Sequence, residues 1–180
     1  MMAPVTLADQ DASRLEDDGA PMWTAPTAGH GQPRLAWAEP GAGGSFDGAW
    51  WPRSRNAPAE LEAVLGLIGD HLGVVVNRVS LNMNSWNADQ PRRMRLGQSL
   101  IRVGWFRTLD AATATFGRGS GDRATILVVP PDIDPTAGRE LMQHLAAARH
   151  WPADAGAALS QPTVSDRAEV DDEVVPTASS

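Results

Sequence analysis

The residues best suited to chemistry lie in one block, "DGAWWPRSR", residues 47–55. It holds a carboxylate, Asp47, two adjacent tryptophans, Trp50 and Trp51, and two arginines, Arg53 and Arg55, that follow a proline. An arginine fork clamps a carboxylate or phosphate through two parallel hydrogen bonds, and an indole stacks on flat rings. That set of groups points to binding of a small anionic or aromatic ligand. Neighbouring residues of a strand face opposite ways. One of Trp50 and Trp51 is therefore expected in the core and the other on an open sheet face, beside Arg53 and Arg55. Trp105 and Arg107 of "RVGWFR" are expected on the same face, with Trp86 of "NSWNADQP" at its rim. A plainer reading stands beside this one: arginine stems cover exposed indoles, and Asp47 pairs with Arg53 or Arg55 or bonds backbone amides in the turn.

Other chemistry is thin. The chain has no cysteine, which excludes disulfides, thiolate metal sites and a cysteine nucleophile. It shows no P-loop, no dinucleotide fingerprint, no HExxH and no GxSxG. "GRGSGD", residues 117–122, is glycine-rich, but no helix follows it, so it reads as a hairpin turn. Asp132 and Asp134 serve a turn and a helix cap, with no third metal ligand in view. His144 and His150 are too far apart on one helix to share a site closely. No catalytic residue, metal or cofactor is expected, because general acid–base work needs a carboxylate or histidine in a closed pocket.

The elements that must position these residues can be read in order. "PRLAW" and "FDGAWW" read as strands, the second stopped by Pro52. "NAPAELEAVLGLIGDHLG" is the clearest helix. Asn56 caps it, Pro58 sits in the first turn, Leu61, Val64, Leu65, Leu67, Ile68 and Leu72 form its apolar face, and Gly73 ends it. "VVVNRVSLNM" is a β-branched strand. "RRMRLGQSLIRVGWFR" reads as a hairpin turning near Gly97 and Gln98, and "ATATFGRGSGDRATILVVP" as another. A last helix starts at Asp134 and Pro135, with Leu141, Leu145 and Ala148 as its inner stripe and Met142 beside them. The pattern predicts an α+β domain: an antiparallel sheet of about five to seven strands with two helices packed on one face.

Charge divides the chain. The 180 residues carry a net charge of −7, with 15 arginines, no lysine and no tyrosine, a bias that a GC-rich genome produces on its own. Residues 1–32 hold one arginine against five acids, and residues 151–180 one arginine against six. Residues 33–150 hold 13 arginines against 11 acids. The two ends are small, polar and acidic, and are expected to be disordered tails on a single domain of residues 33–150. No run of eighteen apolar residues is present and the first residues lack a basic, then apolar, leader, so a cytoplasmic chain without a membrane segment is expected. "RRMRL", residues 92–96, with Arg102 and Arg107, invites a nucleic-acid reading. A balance of only +2 argues against it, and a solvated strand face is expected instead.

"DGAWWPRSR", "RVGWFR" and "ILVVPPDIDP", in this order and spacing, resemble the signatures of a small actinobacterial family known only as a domain of unknown function. The resemblance spans about residues 33–149 and implies a single bacterial domain. It supplies no catalytic residues. The residues themselves favour a non-enzymatic ligand-binding or regulatory module that uses a Trp/Arg surface. The alternative is an interaction protein whose same surface closes on another copy or a protein partner.

Overall fold

The computed structural model describes residues 23–24, 33–119 and 121–160. The strands are β1 (Trp23–Thr24), β2 (Arg34–Trp37), β3 (Gly48–Trp51), β4 (Arg78–Asn82), β5 (Arg93–Leu96), β6 (Ser99–Phe106), β7 (Thr113–Gly117) and β8 (Arg123–Val128). The helices are α1 (Ala57–Leu72), α2 (Pro135–Ala147) and the short α3 (Ala155–Leu159). Seven strands of the domain and the two-residue β1 make one sheet in the order β1-β5-β6-β4-β7-β8-β3-β2.

The sheet is mixed, not purely antiparallel as expected. β3 pairs parallel with β8, β4 with β6, and β1 with β5, while the other neighbours are antiparallel. Connection length explains the difference. A parallel step needs a long crossover, and α1 supplies one between β3 and β4. Those two strands run the same way but do not touch, because the β7–β8 hairpin is inserted between them. Hairpins are legible locally. The slot into which a hairpin inserts is not.

The helices lie on opposite faces, which corrects the expectation of two helices on one face. Leu61, Val64, Leu65 and Ile68 of α1 pack with Trp50, Val79, Leu81, Phe116 and Ile126. Leu141 and Leu145 of α2 pack with Ala36, Ala49, Trp51 and Leu127. Strand alternation sorts these sets, since Ile126 and Val128 face α1 while Leu127 and Val129 face the other way. Local signals fix each helix as read from sequence. Asn56 accepts from the Ala59 amide, Gly73 closes α1 in the left-handed conformation at φ 66°, and Asp134 accepts from the Thr136 and Ala137 amides.

The domain does not stop at residue 150. Trp151 is buried, its amide donates to the Ala42 carbonyl, and Ala155 and Ala158 of α3 enter the α2-side core. The expected tail from residue 151 is thus ordered through residue 160. The expected first tail likewise includes Trp23 and Thr24, which pair with Met94 and Arg95. The rest of both stretches lies outside the described residues. No helix among the described residues is long and apolar enough to cross a membrane.

Candidate functional site

β3 and β8 lie side by side and parallel, and their connections part at their carboxyl ends. The chain leaves β3 for α1 on one face and leaves β8 for α2 on the other. Such a divergence opens a crevice between the two loops, the place where α/β sheets hold ligands. The loop after β3 carries "PRSR" and the loop after β8 carries "PPD", so two of the sequence blocks meet at one sheet end.

The first loop is held by α1 and β2. Glu60, 4% exposed, accepts from the Arg53 amide at 3.0 Å and from the Ser54 hydroxyl at 2.8 Å. Ser54 Oγ in turn accepts from the Asn56 amide. On the other side Arg34 of β2 donates through Nε to the Trp51 carbonyl at 3.0 Å and through Nη2 to the Pro52 carbonyl at 2.7 Å. Its guanidinium carbon lies 3.4 Å from the Trp51 ring centroid. Burial, then the nearby Arg53 charge, lower the Arg34 pKa below its ordinary value, and Glu60 partly offsets both.

The crevice encloses about 200 Å³ and is lined by Pro52, Ser54, Arg55, Ser85, Trp86, Ala111, Ala112, Val128, Pro130, Pro131 and Leu159. Trp86 is its aromatic floor, 8% exposed and stacked on Trp50 with ring centroids 5.4 Å apart. Among the described residues Arg55 is the one charged group in the lining. Its Nη1 donates to the Ser85 carbonyl at 2.8 Å and its Nη2 to Asp132 Oδ1 at 2.7 Å, which ties the two loops together. An ion pair with side chains 42% and 69% exposed holds weakly, so the fork can change partner at small cost. Among the described residues no histidine or carboxylate lines the crevice. What the described lining offers is an indole face and one guanidinium with its exposed donors. Among the described residues no group of three His, Asp or Glu side chains is placed to hold a metal ion.

A larger depression of about 490 Å³ lies between the end of α1 and the β5–β6 hairpin. Its described lining is mostly aliphatic and glycine, with Asp70 as the one charged group among the described residues. It offers volume without a set of converging polar groups, and volume alone does not make a site.

Of the residues singled out from sequence, Arg55 and Trp86 meet in the crevice, with Trp50 stacked beneath. Trp51 is not on an open face. It is 4% exposed because α2 covers it, against 1% for Trp50, so both tryptophans are core. Asp47 pairs with neither Arg53 nor Arg55; its carboxylate accepts from the Thr125 amide at 2.7 Å and secures the start of the β3–β8 pair. Arg53 contributes its amide to the Glu60 bond. Trp105 faces the α1 side, where its Nε1 donates to the Pro91 carbonyl at 3.1 Å, and Arg107 is exposed beyond the end of β6. The arginine that covers an indole is Arg34, which no motif marks. Ala111, Ala112 and Leu159 reach the crevice only through tertiary packing and carry no sequence signal of their own.

A model described as a family of unknown function (DUF5994) matches residues 34–145. The match takes in β2 through most of α2 and stops short of α3, and so of Leu159 in the crevice lining. No curated protein and no solved structure matches the chain.

Proposed function

We propose, for a chain that belongs to this family of unknown function, that the crevice between the PRSR and PPD loops binds a small molecule with one flat or apolar part and one acidic group. One observation carries this reading. At the carboxyl ends of two parallel strands whose connections diverge, a mostly apolar cavity contains a single arginine fork over an indole floor. A volume of about 200 Å³ suits a ligand below the usual drug size. The acidic group takes Arg55 from Asp132, and the flat part lies against Trp86. With no acid–base pair in the lining, the role is binding or regulation. The setting is cytoplasmic, which a chain without cysteine permits.

The stacked Trp50–Trp86 pair supplies the readout. Intrinsic fluorescence is titrated with benzoate, indole-3-acetate, short fatty acids and nucleosides. A saturable change is expected for at least one carboxylate. Arg55→Gln then weakens that ligand about tenfold, the loss of one charge-assisted bond, and leaves its neutral amide unaffected. Ala112→Phe fills the cavity and abolishes the change. A response that survives Ala112→Phe places the ligand elsewhere, and a panel without any response removes the proposal.

A further inference from the structure

Among the described residues, the second sheet face is only half covered. α2 packs over β2 and β3, whereas on that side β5, β6, β4 and β7 present mostly exposed or half-buried side chains, with Asn82 at the far end of β4 as the buried exception. Strand register sets these side chains in rows. Arg93 stands opposite Arg102, Arg102 opposite Arg78, Arg78 opposite Gly117, and Gly117 opposite Arg123. The next row holds Gly104, Ser80, Thr115 and Thr125. Neither row contains an acid within its strands; Asp47, which adjoins the second row at Thr125, has its carboxylate taken up by the Thr125 amide. Like charges directly opposite one another repel, so a sheet gains nothing from such a row by itself. Arg78, Arg102 and Arg123 are exposed, and their side chains make no hydrogen bond or ion pair to another described residue.

Two features make the row more than a charged surface. A cavity of about 210 Å³ lies between Arg78 and Arg123, with Ser80, Thr115 and the Phe116–Gly117 and Gly119 segments as its walls. It brings two guanidinium groups and two hydroxyls onto one volume. Beside it, Phe106 is 48% exposed and its ring lies across Gly104: a Cβ there would come within 2.6 Å of Phe106 Cε2. Gly104 is two residues along β6 from Arg102, about 7 Å. An aromatic platform thus stands within one nucleotide's reach of the arginine row.

We infer that this open half-face binds single-stranded nucleic acid. Phosphates lie along Arg102, Arg78 and Arg123, and a base stacks on Phe106. From Arg102 to Arg123 the row crosses three strand spacings of about 4.8 Å, roughly 14 Å, which matches a chain of phosphates and exceeds a single one. The charge balance read from sequence obscured this, because acids elsewhere in the domain cancel the arginines in the sum but not in space. The site lies at the opposite end of β4 and β8 from the crevice and does not depend on the ligand proposed there.

The test is fluorescence anisotropy of a labelled oligothymidylate of about 12 nucleotides with the full chain, starting at about 50 mM salt. Saturable binding is expected, with log K falling against log salt at a slope of about −2 from three phosphate contacts. Arg78→Gln, Arg102→Gln and Arg123→Gln each reduce the slope by about 0.7. Phe106→Ala weakens binding about 5- to 100-fold, and Arg139→Gln on α2 changes nothing. Near-UV circular dichroism verifies that each variant is folded. Absence of binding at low salt, or binding indifferent to the three arginine variants, overturns the inference. So does displacement of the oligonucleotide by tripolyphosphate at equal phosphate concentration together with a silent Phe106→Ala, since that describes a phosphate-chain site without base contact.

Discussion

At the scale of single residues, the tryptophan pair shows how far alternation reaches. Adjacent strand residues face opposite ways, and Trp50 and Trp51 do. What alternation cannot tell is whether the second face is wet, because that depends on where α2 lands. Gly138 records where it landed. A Cβ at this position would come within 2.4 Å of Trp51 Cζ2, and the indole is fixed between α2 and the Arg34 guanidinium. Alanine is normally the better helix residue by about 1 kcal/mol. Gly138→Ala is nevertheless expected to destabilise the protein by about 1–3 kcal/mol, as overpacking does, by the midpoint of urea unfolding. Trp51→Phe withdraws the outer edge of the indole, so in the double variant the two effects should couple by at least about 1 kcal/mol. A neutral Gly138→Ala would mean that the helix stands farther off the sheet.

The elements were legible one at a time, and their arrangement was not. Both long helices, their caps and both hairpins follow from local signals: Asn56, Gly73, Asp134, the β-branched runs and the turn residues. Strand order depends on pairings between distant segments, which leave no local period. The same limit hid the last element. "WPADAGAAL" is short and small-residued, and reads like the acidic stretch that follows it. Its order comes from outside itself: the Ala42 carbonyl receives the Trp151 amide, the Ser45 amide donates to the Pro152 carbonyl, and Gly44 at φ 87° lets the two backbones approach. Trp151→Ala should therefore cost about 3–5 kcal/mol in chemical denaturation, the usual cost of emptying a buried tryptophan site. A fragment ending at residue 150 should lose at least as much. Were both changes silent, the α2-side core would be complete without α3, and Leu159 would have no part in the crevice.

Across the whole molecule, the two candidate sites sit at opposite ends of one sheet. The crevice lies past Val128 at the end of β8, and the arginine row crosses β8 at Arg123, five residues or about 17 Å away. Among the described residues they share no side chain. Of this layout the sequence showed only the pieces: arginines spread along the chain with a balance near neutral, and motif blocks far apart in number. Register turns the first into a row, and the β3–β8 pairing brings two of the blocks together. The separation makes a measurable claim about coupling. Sites more than 7–10 Å apart without a shared partner act additively, unless the fold links them through a two-state element. Each ligand at about 100 times its dissociation constant should stabilise the fold by about 2.7 kcal/mol, and the two together by close to the sum. Thermal unfolding with a crevice ligand, with oligothymidylate and with both would read this directly. Additive shifts mark two independent sites on a rigid sheet. A combined shift well below the sum would mean that filling one site weakens the other, with β8, which touches both, as the element through which they compete.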